Sequence, residues 1–284
     1  MDDSKFLITG AHGQLGTALQ VQYPNAQATD SNDLNIADWQ TVKNFDWGNI
    51  TTVLNAAGYT NVDGAESYEG RIAAWGVNSQ AVANLARIAQ QKDLLVVHIS
   101  TDYVFDGIQK LHKEDEPLSP LSTYGASKAA GDVALSVWAK HYLLRTSWVI
   151  GEGKNFVRTM LELGQKAVNP TVVSDQVGRP TFTSELARVI DHLFKNQPAF
   201  GTYNVSNGGQ AVSWADLTRA IFEDAGLDNT VTDTTTAEYY KDKPQAAARP
   251  LISLFDLTKI ESTGFEPTDW RDDLKEYVKK ELNQ

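Results

Sequence analysis

The sequence predicts an α/β fold on three observations. Short apolar runs alternate with helical patterns through the first half, a glycine-rich turn joins the first run to the first helix, and the rhythm loosens after Trp148. Strands alternating with helices imply βαβ units and a parallel sheet. The expected architecture is a Rossmann-type doubly wound parallel sheet over residues 1–150, with a later strand free to rejoin it. A smaller C-terminal α/β substrate-binding domain over residues 151–284 follows.

Lys5–Thr9 (KFLIT) reads as a buried strand and Gly13–Gln22 as the helix after it. Ala26–Thr29 is a short second strand, Asp38 caps a helix over Trp39–Phe45, and Thr52–Asn55 is a third strand. Ala73, Val77, Ala81, Leu85 and Ile88 recur three to four apart, which predicts a long helix over Gly70–Lys92. Leu94–Ser100 (LLVVHIS) is apolar without alternation, as in a strand covered on both faces. A helix over Tyr124–Lys140 and a strand over Tyr142–Thr146 complete the first half. Beyond it, helical patterns near Phe156–Lys166, Ser184–Lys195, Ser213–Ala225 and Trp270–Leu282 are separated by loops rich in Gly, Pro, Asn and Thr. The polar, Thr-rich segment Asp228–Thr236 reads as a surface loop.

Composition narrows the function. Without cysteine there is no disulfide framework, thiolate nucleophile or cysteine metal site, which suits a reducing cytosol. No apolar run approaches the ~20 residues of a membrane span, and Met1–Lys5 has no leader layout. The expectation is a cytoplasmic protein without a membrane partner. A net charge of −11 argues against nucleic acid. Any anionic ligand needs a local cluster of donors.

Such a cluster is predicted at Thr9–Gly16 (TGAHGQLG), whose glycines fall at G-x-x-G-x-x-G between a strand and a helix. Gly10 permits the tight turn, Gly13 lets backbone approach a pyrophosphate, and Gly16 lets helix pack on strand. The helix start then holds the anion with free N–H groups and its dipole. A ligand-free glycine turn has the same pattern, but the flanks here are those of a dinucleotide site. Gly10, His12, Gly13, Gln14, Leu15 and Gly16 are therefore candidate cofactor contacts. Asp30 follows Gly10 by twenty residues, where a carboxylate holds the adenosine ribose hydroxyls or, in the plainer reading, caps a loop. No Lys or Arg occurs between Phe6 and Val42 to meet a 2′-phosphate. NADH is accordingly expected to serve at least as well as NADPH.

Tyr124 and Lys128, four apart, share one face of a predicted helix. An ammonium beside a phenol favours phenolate, making the tyrosine a stronger acid able to protonate a carbonyl oxygen as hydride reaches the carbon. Tyr-x-x-x-Lys is common on surface helices, so the pair gains meaning from its company. Ser100 and Thr101 end a buried strand, at the sheet edge where open α/β folds bind ligands. Thr101 is thereby a candidate donor to a substrate carbonyl beside Tyr124, strand-end capping being its plainer role.

These residues resemble the short-chain dehydrogenase/reductase superfamily in its extended form, and within it the family of dTDP-4-dehydrorhamnose reductases. Thr9–Gly16, Asn55–Asp63, Ser100–Gly107, Tyr124–Lys128, Arg145–Trp148, Asp175–Thr181 and Arg249–Pro250 all look like that family's motifs, in order along nearly the whole chain. The resemblance implies reduction of the 4-keto group of dTDP-4-dehydro-L-rhamnose by NADH or NADPH. It further implies that Thr101 polarises the keto oxygen, Tyr124 protonates it, and Lys128 lowers the tyrosine pKa and holds the nicotinamide ribose. Asn35, Ile36, Ala56, Ala57 and Tyr59 would lie along the cofactor, and Asn78 would support Lys128 through water. Thr60, Val62, Thr101, Asp102, Tyr124, Trp148 and Arg249 would meet the nucleotide sugar. Arg249 would meet its diphosphate, with Arg179 a weaker candidate. Trp148 reads equally as a core or hinge tryptophan.

Two departures and two rivals accompany the resemblance. Asn35 stands where relatives often carry an aspartate near the adenine. Ala18 stands where some have a glutamate that helps bind magnesium at a dimer interface, which leaves Mg2+ dependence, and monomer or homodimer, open. His12, His98, His112, His141 and His192 show no pair at ligand spacing, so no metal site is expected and their rings read as structural. Related dehydratases carry an acidic residue where this chain has Tyr103. A nucleotide-sugar epimerase and a noncatalytic regulatory subunit, like that of methionine adenosyltransferase, are the alternatives. The intact Thr101, Tyr124 and Lys128 set favours the reductase.

Overall fold

The computed structural model describes residues 2–283. The chain runs β1 (Phe6–Thr9), α1 (Gln14–Gln22), β2 (Gln27–Thr29), α2 (Trp39–Asn44), β3 (Thr52–Asn55), α3 (Tyr68–Trp75), α4 (Ala81–Lys92), β4 (Leu95–Thr101), α5 (Thr123–Ser136) and β5 (His141–Thr146). It continues through β6 (Val149–Ile150), α6 (Phe156–Gln165), β7 (Thr171–Val173), β8 (Val177–Gly178), β9 (Thr181–Phe182), α7 (Thr183–Asn196) and β10 (Gly201–Asn204). The remainder is β11 (Val212–Ser213), α8 (Trp214–Asp224), β12 (Thr232–Thr234), α9 (Thr236–Tyr240), β13 (Ile252–Ser253), α10 (Thr258–Glu261) and α11 (Trp270–Leu282).

The central sheet has the order β10-β5-β4-β3-β1-β2, every pairing parallel. Apart from the edge strand β2, its strands are largely buried because alternate side chains feed two cores. Ile8, Leu54, Val97 and Leu144 point into one face with Leu15 and Leu19 of α1 and Leu186, Val189 and Ile190 of α7. Leu7, Val53, Val96 and Leu143 point into the other with Val42 of α2 and Val82, Leu85 and Ile88 of α4. After β2 the chain crosses β1 to place β3 on its far side, and this reversal opens a crevice at the strands' C-terminal ends.

β10 and α7 come from beyond residue 150 yet complete the sheet and one of its helical layers. A third core gathers Val157 and Leu161 of α6, Leu217 and Ile221 of α8, and Leu274 and Val278 of α11. Beside it the short strands form a β11-β8-β13 sheet and the β7-β12 and β6-β9 pairs.

Three local expectations change. The segment expected as a loop over Asp228–Thr236 contains β12, which pairs in parallel with β7 through Thr232–Thr171 to Thr234–Val173. Its β-branched threonines suit a pleated edge, and its exposure gave it a loop's polarity. The long helix is broken by a π-helical turn at Gly76–Gln80. α5 stops at Ser136, short of Lys140.

Candidate active site

At the start of the crevice, Gly10 has φ +71°, and a Cβ there would lie 2.6 Å from Ala57 backbone. A Cβ on Gly16 would come within 2.1 Å of the Gly10 carbonyl oxygen, so both glycines are required by close approach. Gly13 caps α1 with no side chain, leaving the helix's positive end open to an anion. The turn therefore fits a dinucleotide pyrophosphate. Two cavities meet here. One, of about 330 Å³, is bordered by Gly10, Asp30, Asn35, Ile36, Ala56 and Ala57. The other, of about 700 Å³, takes in His12, Gly13, Gln14 and Leu15 from the turn together with Thr60, Val62, Thr101, Asp102, Tyr124, Lys128 and Trp148. A further cavity of about 690 Å³ lies at the opposite edge of the sheet, around Phe6, Tyr142 and Phe200, and holds none of the candidate residues.

Ser122 caps α5 by accepting from the Gly125 N–H at 3.2 Å, which sets Tyr124 in the first turn and Lys128 one turn on. A Cβ on Gly125 would fall 2.2 Å from the Tyr103 carbonyl oxygen, so this glycine lets α5 close on the end of β4. Thr101 donates to Asp102 Oδ1 at 2.9 Å, and Ser253 of β13 donates to Asp102 Oδ2 at 2.5 Å. Burial lifts the Asp102 carboxyl to about 6 against the pull of the Ser253 and Thr101 hydroxyls.

The electrostatics differ from the simple ammonium–phenol picture. Burial pushes the Tyr124 phenol above its usual range, with the Thr101 hydroxyl pulling the other way. Lys128 Nζ is directed to the Ile99 carbonyl oxygen at 2.5 Å rather than to the phenol. Burial lowers the Lys128 ammonium to about 8, opposed by the charge of Asp132. Asp132 in turn accepts from Arg145 Nε at 3.0 Å, both buried. Burial therefore dominates, and Tyr124 is a neutral phenol with its proton in hand.

Other anticipated residues act at one remove. Asn78 lies in the π-helical turn; it accepts from Tyr59 N–H at 2.9 Å and donates to Tyr59 O at 3.1 Å and Ser127 Oγ at 3.0 Å. It thus clasps the loop after β3 to α5, beside Lys128, and both of its N–H donors are used in doing so. Arg249 is held outside the cavity lining, forked onto Asp63 at 2.8 and 2.9 Å and stacked over Tyr240. Arg179 donates to the Gly209 and Phe255 carbonyl oxygens, as a structural residue does. His98 is fully buried against Asn55 Nδ2 at 2.8 Å, its pKa pushed well down by burial, so it is neutral. Among the described residues no cluster of His, Cys, Asp or Glu could hold a metal.

Trp148 has φ +49°, an uncommon backbone for a bulky residue, and its ring stacks on Trp214 at 3.7 Å between centroids. A Cβ on Gly178 would press within 3.2 Å of that indole. Trp214, Gln176, Lys154 and Ser253 also line the large cavity, and all come from the C-terminal half. Lys154, in the Gly-Glu-Gly-Lys turn, and Gln176, inside the Asp175–Thr181 motif, have sequence signals that could have marked them.

Comparison with known proteins adds the family context. The model of the RmlD substrate binding domain matches residues 4–283. The chain is 38% identical to the spore coat polysaccharide biosynthesis protein SpsK of Bacillus subtilis, over 98% of each chain. It is also 38% identical to a dTDP-4-dehydrorhamnose reductase of Aggregatibacter actinomycetemcomitans, over 96% of this chain and 97% of that one. The crystal structure of dTDP-4-dehydrorhamnose reductase from Bacillus anthracis in complex with NADP is 33% identical. It superposes with a TM-score of 0.88 over 97% of this chain and 98% of that one.

Proposed function

The chain belongs to the RmlD substrate binding domain family, and from that premise we propose that it reduces the 4-keto group of dTDP-4-dehydro-L-rhamnose to give dTDP-L-rhamnose. The observation that carries this reading is the meeting of Thr101, Tyr124 and Lys128 with the glycine turn around one cavity. Relatives that bear the reductase name align along nearly the full chain and support it.

A reduced nicotinamide dinucleotide, when bound, supplies hydride to the carbonyl carbon. Gly10, Gly13 and Gly16 shape the turn that would hold its pyrophosphate, Asp30 its adenosine ribose, and Asn35, Ile36, Ala56 and Ala57 its adenine side. Tyr124 is the proton donor to the ketone oxygen, and its buried, neutral phenol keeps that proton available near pH 7. Lys128 is the cation that stabilises the phenolate left behind, with Asp132 sustaining its charge. Thr101 steadies the ketone oxygen beside Tyr124, after its hydroxyl turns from Asp102. Residues 1–150 hold the dinucleotide, and residues 151–284 mainly hold the nucleotide sugar, with Trp214 backing Trp148 of the first segment. Arg249 reaches the diphosphate by leaving Asp63. The reaction belongs in the cytoplasm, and NADH serves at least as well as NADPH.

The test is stoichiometric oxidation of NADH on adding the keto-sugar, with and without chelator. Conversion without net oxidation would identify an epimerase and end the reading. Tyr124→Phe should lower kcat by roughly 10²-fold or more. Activity within a few-fold of the unaltered chain would remove Tyr124 as the acid. A hundredfold preference for NADPH would refute the cofactor assignment.

A further inference from the structure

We infer that Lys154, on the loop between β6 and α6, is a cation that meets the diphosphate of the nucleotide sugar. The inference rests on the nucleotide-sugar reading given above and adds one contact to it.

A diphosphate brings several negative charges to a chain whose own net charge is −11, so it needs a cation within reach. Among the described residues lining the large cavity, the Lys and Arg side chains are Lys128 and Lys154. Lys128 is buried and donates to Ile99 O at 2.5 Å. His12, the remaining basic side chain of the lining, pairs with Asp30. Arg249 reaches a diphosphate only by breaking its fork onto Asp63, and Arg179 is spent on two backbone carbonyls. Lys154 is exposed and has no carboxylate partner among the described residues. Glu152, its acidic neighbour in the loop, is already paired with Lys280 and with Arg158, the latter at 2.8 Å. Lys154 therefore meets an anion without giving up a bond.

The loop is ordered before any ligand arrives. A Cβ on Gly151 would fall 2.5 Å from Thr183 Cγ2 and 3.2 Å from Gln14 Cβ, which fixes the root of the loop against α7 and the start of α1. Asn155 donates to the Gly151 and Gly153 carbonyl oxygens at 2.7 and 3.1 Å, and it caps α6 by accepting from Arg158 N–H at 3.1 Å. Tyr277 donates to Gly151 O at 2.9 Å. Gly153, at φ +88°, turns the chain at the tip, where a Cβ would meet nothing within 4 Å. Order already in place lowers the entropy lost on gripping a ligand. The dinucleotide's pyrophosphate has the open end of α1, so the diphosphate still in need of a cation is that of the nucleotide sugar. Lys154 shares its lining with Trp148, Gln176 and Trp214 and is absent from the adenosine-side cavity.

The experiment is calorimetric titration of the whole chain and of Lys154→Ala with dTDP, and separately with NADH, at low and high salt. Lys154→Ala should weaken dTDP binding about tenfold, the scale of one hydrogen bond to a charged group, and leave the Kd for NADH unchanged. Its dTDP affinity should also depend less on salt than that of the unaltered chain. In turnover, KM for the keto-sugar should rise by a similar factor with kcat within a few-fold, as for a contact made equally in the ground and transition states. Lys154→Arg keeps the charge and should retain most of the affinity. Equal dTDP affinity in the unaltered chain and Lys154→Ala would overturn the inference and leave the reductase reading standing. A loss confined to NADH would also overturn it, by placing Lys154 on the dinucleotide's pyrophosphate. Failure of the unaltered chain to bind dTDP while it binds NADH would remove the nucleotide-sugar reading and the inference with it.

Discussion

Lys128 Nζ donates to the carbonyl oxygen of Ile99 at 2.5 Å, tying the helix that carries Tyr124 to the strand that ends in Thr101. This contact fixes the geometry of the site, and burial of the lysine sets its pH range. A lysine buried to this degree loses hydration that one carbonyl and the charge of Asp132 only partly replace, which is why its ammonium titrates at about 8.

That value predicts an alkaline limit. If the ammonium is the working form, kcat/KM for the reduced cofactor, which reports ionisations of the free enzyme, should fall as pH rises through about 8. Lys128→Arg keeps its charge and should move the limb upward. The stability effect has the opposite sign. Between the folded value of about 8 and the ordinary 10.5, the unfolded chain binds more protons, so Lys128 makes stability rise with pH across that window. A limb that stays in place in Lys128→Arg would separate it from this residue.

Asp102 predicts an acid-side effect on stability. Its folded pKa, about 6, lies above the ordinary 3.8, so the folded state holds the proton more tightly than the unfolded one. Stability from this group is full below pH 3.8 and declines as pH rises through about 6. The difference corresponds to about 3 kcal/mol as an order of magnitude. Asp102→Asn, compared with the unaltered chain in urea unfolding across this range, should lack that component. Equal pH dependence in both proteins would contradict the assignment.

The Asp132–Arg145 pair is enclosed between α5 and β5, with Nε to Oδ2 at 3.0 Å. Arg145→Met leaves a buried carboxylate facing only Lys128 and Ser100 and should cost about 3–5 kcal/mol in urea unfolding. Adding Asp132→Asn should recover part of that loss, because no buried charge then lacks its partner. A double variant less stable than the single one would show that the pair is not the origin of the loss.

Trp214 should matter to the sugar and not to the cofactor. Its ring backs Trp148 at 3.7 Å on the side of the cavity away from the adenosine end. Trp214→Ala should raise KM for the nucleotide sugar about tenfold, on the scale of one lost aromatic contact, with the Kd for NADH unchanged. A matching loss in NADH affinity would place the tryptophan pair in the fold rather than at the substrate.

The parts of the site that lie close in sequence were legible because local rules govern them. The turn from Gly10 to Gly16 follows from backbone approach that only glycine permits, and Tyr124 and Lys128 are paired by helical spacing. Contacts that close over long separations were not legible. Ser253 reaches Asp102 across 151 residues, and nothing in its local sequence distinguishes it from other strand serines. The fork of Arg249 onto Asp63 likewise depends on how the segment after Tyr240 returns to the loop after β3. The strand at Thr232–Thr234 looked like a loop because one exposed edge carries no alternation to read.

By itself the sequence determined the alternation of strands and helices, the glycine turn and the tyrosine–lysine face, since each depends on residues within a few positions of one another. The tertiary structure alone decided the charges: it buried Lys128 and Asp102, turned the lysine to Ile99 and left the phenol neutral. Burial is a property of the whole packed chain, and removing a charge from water can outweigh any neighbour that spacing alone would pair with it.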